Sequence, residues 1–184
     1  MIRHFRTIPL LCAALAAAVS SDYQSAKQKF DRIEADRERA GSRIELSAQE
    51  LSAYAAGEAP DGVREPKIQL LSPGMVTGTA QIDFLKLRRA QGSEPGWLTS
   101  KLLNGEHPVK VTAHISSGGG RTTVDLQSVE ISGIKVDGRT LDFLIQHVLL
   151  RLYPDAVVGQ PFEMGHHIEK LDVQQRAVAV VIGK

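Results

Sequence analysis

The chain is poor in cysteine, in aromatic side chains and in net charge. Cys12 is the single cysteine among 184 residues, so no intrachain disulfide can form and packing must carry the stability. Aromatic residues make up 5% of the chain, and 22 basic residues stand against 21 acidic ones. That balance lacks the basic excess of a nucleic-acid-binding protein, so no nucleic-acid partner is expected. No apolar run reaches the ~20 residues that a membrane-spanning helix requires.

Residues 1–20 are typical of an export signal. Arg3 and Arg6 supply a basic start, an apolar stretch covers residues 8–19, and a small-x-small pattern ends at Ser20. We therefore expect cleavage near Ser20 and a periplasmic or extracellular mature chain, which is long enough for one domain. Cys12 is not expected to be lipidated, because Leu11 stands where a lipobox needs a small residue.

Two helices are predicted in the first third of the mature chain. Over residues 21–40, apolar side chains recur every three or four positions, which is the spacing of an amphipathic helix. Ser47 and Glu50 form a capping-box pattern, which predicts a second helix over residues 48–56. We divide the chain into a signal (1–20), an N-terminal helix with its linker (21–43) and one α+β domain (44–184).

The remaining sequence predicts antiparallel strands and one apolar helix. Apolar and polar residues alternate over residues 75–87, after a Pro73-Gly74 turn, which predicts a strand that folds back antiparallel. The glycines at 118–120 predict the turn of a second hairpin. Near Gln127 the apolar residues change from even to odd positions, which predicts a β-bulge. Two last strands are expected over residues 166–174 and 177–182. The helix over 140–153 has little polar surface and should be enclosed. The expected fold is a curved antiparallel sheet of six or seven strands around that buried helix.

No motif indicates catalysis, a cofactor or a metal. His166 and His167 are adjacent in a predicted strand, so their side chains leave opposite faces and cannot easily share a metal. His147 lacks an acid at helical spacing, and no G-x-S-x-G elbow occurs. The glycines at 118–120 precede a strand, unlike a phosphate-binding loop, which opens a helix. The carboxylates Asp83 and Glu130 lie on separate elements, and solvated strand faces account for them.

Arg88 and Arg89 form the densest cationic group of the mature chain. They follow the apolar end of the predicted 75–87 strand, where anionic lipid head groups could dock. A solvated loop entry is the alternative interpretation of this pair.

The order of elements resembles a known family. The capped helix at 44–51 (IELSAQEL), a long amphipathic hairpin, and a strand that runs into an apolar helix over 129–148 are similar to bacterial envelope phospholipid-binding proteins with a tubular-lipid-binding fold. The resemblance covers residues 44–184. It implies a curved sheet wrapped around a helix, an apolar groove for acyl chains, and binding without catalysis. The predicted helix is short for that family, which would leave a shallow or filled groove.

Three functions are compatible with these patterns. The first is an exported lipid- or hydrophobe-binding protein, in possible contact with the membrane surface, whose head-group contacts are Arg88 and Arg89. Its apolar lining is predicted to be Ile82, Phe84, Val111, Ile115, Leu144, Ile145 and Val148. The second is an envelope protein-interaction module with a filled core, and the third is a secreted hydrolase whose loops bring distant residues together.

Overall fold

The computed structural model describes residues 9–90, 105–150 and 157–184, with only the backbone for 9–20, and shows an α+β fold. Its strands pair antiparallel in two sheets instead of the single sheet that we expected. The helices are α1 (Pro9–Glu34), α2 (Ala48–Gly57), α3 (Phe84–Ala90) and α4 (Gly138–Leu144), which continues into a π-helical turn (Ile145–Leu149). The strands are β1 (Arg43–Ser47), β2 (Val63–Ser72), β3 (Met75–Ile82), β4 (His107–Gly118), β5 (Arg121–Ile131), β6 (Ile134–Val136), β7 (Phe162–Glu163), β8 (Ile168–Val173) and β9 (Ala177–Ile182).

The smaller sheet, in the order β1-β9-β8, forms a dry core with the first two helices. Leu46 is 1% exposed and Val180 is 4% exposed, and both pack with side chains of α1 such as Ala26, which is fully buried. Helix α1 ends at Glu34 and not at residue 40, because the chain turns at Asp36 with φ 51°. Residues 21–34 therefore pack in the same core as strands from the far end of the chain.

The capping box at the start of α2 is confirmed and extends into a larger polar cluster. Glu50 donates its backbone N–H to Ser47 Oγ at 3.1 Å, and its carboxylate accepts from Ser47 N at 2.8 Å. The same carboxylate accepts from Lys29 Nζ at 2.6 Å and from Ser25 Oγ at 2.5 Å. Burial by itself would raise the pKa of Glu50, but the hydrogen bonds from Lys29, Ser25 and Ser47 outweigh it and lower the pKa to about 2.

The larger sheet has the path β2-β3-β4-β5-β6, and β7 pairs with β5. The turn between β2 and β3 falls at Pro73-Gly74, as predicted, and Gly74 adopts φ 75°. Thr112 pairs with Ser128 and Ala113 pairs with Leu126, so Gln127 is the extra residue of a bulge. The parity change in the sequence is thereby explained, since the bulge returns the apolar side chains of β5 to one face.

Strand β3 is shorter than predicted. It ends at Ile82, and Asp83 Oδ1 accepts the backbone N–H groups of Leu85 at 3.1 Å and Lys86 at 2.9 Å, which starts α3. The backbone N–H of Asp83 in turn donates to Gly62 O at 2.7 Å. The strand predicted over residues 75–87 is therefore correct only as far as Ile82. The interpretation of Arg88 as a loop entry is wrong, because a helix runs from Phe84 to Ala90.

The two sheets meet where the hairpin tips of the larger sheet reach β8. Ser117 Oγ donates to Leu171 O at 2.8 Å and accepts from Leu171 N at 2.7 Å. Gly120 N donates to Glu169 O at 2.9 Å, and Gly74 N donates to Val173 O at 3.1 Å. Backbone groups on the outer edge of β8 are thus hydrogen-bonded to the hairpin ends of the larger sheet instead of being left open for aggregation.

Two further expectations differ from the structure. His166 and His167 lie in a turn with φ of 56° and 54°, and β8 begins only at Ile168, so the predicted 166–174 strand is shorter at both ends. The apolar helix predicted over 140–153 is helical to residue 149, while 151–156 lie outside the described residues. Its enclosure is not confirmed, because every side chain described in α4 and the π-helical turn is half-buried or exposed.

Candidate functional site

One face of the larger sheet is an apolar strip. Cross-strand pairing aligns Gly78 with Val111 and Val111 with Val129, and these positions share a face with their second neighbours along each strand. In contrast to the dry core of the smaller sheet, the side chains of this face are only half-buried, with Val129 as the buried exception. The apolar strip comprises Val76, Ala80, Ile82, Val109, Val111, Ala113, Ile115, Val124, Leu126, Val129 and Ile131.

The structure places three of the predicted lining residues on one face of the larger sheet. Ile82, Val111 and Ile115 lie on the apolar strip, and each is half-buried. Ile82 pairs with His107, eight positions before Ile115 on the neighbouring strand, so the three residues are spread over about 27 Å at the usual rise of a strand. They therefore form an elongated surface and not a single closed pocket.

The other predicted lining residues belong to helices and are not part of the strip. Phe84 is 5% exposed in α3, with its ring centroid 6.0 Å from that of His107. Leu144 and Ile145 are half-buried at the junction of α4 and the π-helical turn. The side chain of Val148 lies outside the described residues. Among the described residues, α4 makes few close approaches to the strands.

The predicted head-group contacts are placed by their backbone alone. Arg88 and Arg89 belong to the last turn of α3, and their side chains lie outside the described residues. The strip is most open at its β6 end, where Ile134 pairs with Ile131 and is 71% exposed. Isolated exposed apolar residues are ordinary, but here the residue continues a larger apolar surface.

A serine and a histidine approach each other beside the strip. Ser132 Oγ lies 3.2 Å from His107 Nδ1, and Ser132 adopts φ 51° in the turn between β5 and β6. The Nε2 atom of His107 is buried and has no hydrogen-bond partner within the described part of the chain. A hydrolytic triad needs a third group to orient the imidazole, and this pair has none among those residues.

The opposite face of the larger sheet forms a polar groove that sequence reasoning missed. The groove has a volume of about 280 Å³, and Lys67, Thr79, Lys110 and Glu130 contribute to its wall. These residues come from four different strands, and each alone has the pattern of a solvated strand position. The sequence indicates the groove only through the polar residues that alternate with apolar ones in each strand, and these do not show how the strands align.

Within residues 9–90, 105–150 and 157–184, no group of three or more His, Cys, Asp or Glu side chains is arranged to hold a metal. In the same residues, no helix combines the length and the apolar character needed to cross a bilayer. No protein family, curated protein or solved structure matches this chain.

Proposed function

We propose that the protein is exported to the bacterial cell envelope and there binds a lipid or another apolar ligand without catalysis. The observation that carries the proposal is the apolar strip, whose aliphatic side chains are only half-buried although the same chain builds a fully buried core elsewhere. A contiguous apolar surface on a monomer indicates a binding site for an apolar partner. The signal-like residues 1–20 and the resemblance to envelope phospholipid-binding proteins support the compartment and the ligand class.

In this proposal the ligand lies along the strip, between the larger sheet and the half-buried helix over Gly138–Leu149. The acyl chain would contact Ile82, Val111 and Ile115 from the strand side and Leu144, Ile145 and Val148 from the helix side. Arg88 and Arg89, which follow the end of β3, would contact an anionic head group. An extended chain suits a site about 27 Å long better than a compact ligand does.

The direct experiment is mass spectrometry of an organic extract from the purified native protein, followed by titration of the delipidated protein with a fluorescent fatty acid. Ile115→Gln is expected to weaken binding about tenfold or more, since burying one large aliphatic side chain contributes roughly 1.5–3 kcal/mol. Ser116→Gln is the matched control, because Ser116 is exposed on the opposite face of the same strand. Unfolding curves of both variants confirm that each is folded.

The proposal is overturned if the extract contains no lipid and the delipidated wild-type protein binds no fatty acid or phospholipid. A stoichiometric protein that co-purifies through the strip, and is lost in Ile115→Gln, would instead establish the protein-interaction alternative. Release of product from ester or glycoside substrates, abolished by Ser132→Ala, would establish the hydrolase.

A further inference from the structure

The polar groove contains a row of charged side chains that cross-strand pairing sets side by side. Lys67 on β2 pairs with Thr79 on β3, Thr79 pairs with Lys110 on β4, and Lys110 pairs with Glu130 on β5. All four residues line the groove, together with Gln81. Because neighbouring strands are about 4.8 Å apart, the two lysines stand roughly 10 Å apart at their Cα atoms and flank Thr79.

The charged side chains of this row have no ion-pair partner among the described residues. Within the described residues, no hydrogen bond or ion pair joins Lys67, Lys110 or Glu130 to any other side chain, although Lys110 and Glu130 are direct cross-strand neighbours. Elsewhere in the chain, opposite charges on the same sheet do pair, as Arg43 on β1 and Asp172 on β8 do at 2.9 Å. The row therefore offers two free ammonium groups and, at its β5 end, one free carboxylate, while the carboxylate of Glu65, which also lines the groove, lies 4.0 Å from Arg64.

The edge of the groove is shaped by an irregularity in β2. Arg64 pairs with Gln81 and Lys67 pairs with Thr79, so three steps along β2 match two along β3. Glu65, within this bulge, adopts φ 50°, a conformation that costs free energy for a residue other than glycine. Bulges at the rim of a sheet often redirect side chains at binding sites, and here Glu65 and Lys67 both line the groove.

We propose that the groove binds a small phosphorylated ligand that also carries an amine or a hydroxyl group. The phosphate lies over Thr79 between Lys67 and Lys110, whose two positive charges match a group that carries about −1.5 to −2 at neutral pH. Thr79 and Gln81 donate further hydrogen bonds to its oxygens. Glu130 accepts from the amine or hydroxyl, one strand farther along the row. The volume of about 280 Å³ suits a ligand of this size.

This site is separate from the proposed lipid site, because the groove and the apolar strip occupy opposite faces of the larger sheet. The inference does not depend on lipid binding, and the two can fail separately. Ile115→Gln is expected to leave phosphate binding unchanged, whereas the groove variants are expected to leave fatty-acid binding unchanged. A free phosphomonoester and the head group of an ethanolamine phospholipid both place a phosphate beside an amine, although the diester of the phospholipid carries only one negative charge, and the experiment must distinguish them.

The test is calorimetric titration of the full chain, at low salt because exposed charges are screened. The probes are inorganic phosphate, O-phosphoethanolamine and acetate. Lys67→Gln and Lys110→Gln are each expected to raise the Kd for inorganic phosphate about tenfold, as the loss of one charge-assisted hydrogen bond implies. Lys170→Gln, which removes an exposed lysine from β8 in the other sheet, is the control and should leave the Kd unchanged.

Glu130→Gln is expected to lower the Kd for inorganic phosphate and to abolish the preference for O-phosphoethanolamine over phosphate. To distinguish a membrane head group from a free ligand, binding to vesicles that contain phosphatidylethanolamine is compared with binding to vesicles of phosphatidylcholine alone. Binding to the former without binding to soluble O-phosphoethanolamine identifies a membrane head group, and the reverse identifies a free ligand. The proposal is overturned if no probe binds, if acetate binds as tightly as phosphate, or if neither lysine variant changes the Kd.

Discussion

Glu50 should make the stability of this protein depend strongly on pH between 4.5 and 2. Its side chain is 11% exposed and accepts hydrogen bonds from Lys29, Ser25 and Ser47, which lower its pKa from 4.5 to about 2. A pKa that is lower in the folded state than in the unfolded chain means that folding favours the carboxylate. The stabilisation is therefore complete above pH 4.5 and is lost as the pH falls towards 2.

The size of the effect follows from the two pKa values. Since a tenfold change in a proton equilibrium corresponds to 1.36 kcal/mol, lowering the pKa of Glu50 from 4.5 to about 2 stabilises the fold by about 3 kcal/mol at pH 7. By pH 3 about 2 kcal/mol of this should be lost, because the unfolded carboxylate is then almost fully protonated. This is a large fraction of the 5–15 kcal/mol that typically separates folded from unfolded states.

The variant that tests this is Glu50→Gln, measured by urea unfolding at several pH values from 7 to 3. Glutamine keeps the shape and still reaches the backbone N–H of Ser47, so the substitution removes the charge and retains the capping geometry. We expect a loss of about 2–3 kcal/mol at pH 7, where Lys29 loses its carboxylate partner and keeps only its bond to Glu45 O, and a much smaller difference from wild type at pH 3.

The matched control is Glu45→Gln on the neighbouring strand β1. The Glu45 carboxylate is 63% exposed and lies 3.4 Å from Arg43, so its removal should change the free energy of unfolding by less than about 0.5 kcal/mol at any pH. If the difference between wild type and Glu50→Gln stays constant from pH 7 to pH 3, the reasoning about the buried carboxylate is refuted.

Two further substitutions probe contacts between distant segments by chemical unfolding. Ser117→Ala leaves both backbone groups of Leu171 without their partner at the junction of the sheets and should cost about 1–3 kcal/mol; an unchanged stability would mean that water replaces the hydroxyl. Gly57→Ala places a Cβ 2.6 Å from Cδ2 of Tyr23 and should cost about 1–3 kcal/mol through overpacking; a gain in stability would show that the ring moves freely. The controls, Ser116→Ala and Gly78→Ala, remove an exposed hydroxyl and add a methyl in open space.

Local chemistry explains what the sequence predicted correctly. The capping box of α2 needs only Ser47 and Glu50 three residues apart, and the hairpin turn needs only Pro73 and Gly74. The bulge at Gln127 was visible because it changes the parity of apolar residues in a single strand. Each of these signals lies within a few residues, so no knowledge of the rest of the chain was needed.

The end of β3 shows where periodicity fails. Phe84 continues the apolar alternation of the strand, so the pattern by itself predicts extension past Ile82. What ends the strand is Asp83, whose carboxylate caps α3 and whose N–H donates to Gly62 O. That second contact joins residues 21 positions apart, and a single sequence gives no indication of it.

The division into two sheets was equally hidden. Strand β1 pairs with β9, so Arg43 lies opposite Val181 near the other end of the chain. Because loop closure over such a distance leaves no trace in local periodicity, we assigned the strands to one sheet. For the candidate site, alternation placed Ile82, Val111 and Ile115 on one face, but the polar groove requires the register of four strands at once.

The contrast between the two sheets gives the strongest physical argument for a binding protein. In the smaller sheet, side chains such as Leu46 and Val180 are at most 4% exposed, and the core that they form with α1 is dry. The larger sheet has comparable aliphatic side chains on one face and leaves them only half-buried, and its other face carries charges that have no partner among the residues that the structure describes. Since this chain can bury aliphatic residues fully, the open strip is not a consequence of its size or composition. When an apolar partner covers the exposed part of these side chains, the free energy falls by roughly 25 cal/mol per Å², which is the driving force for binding the proposed ligand.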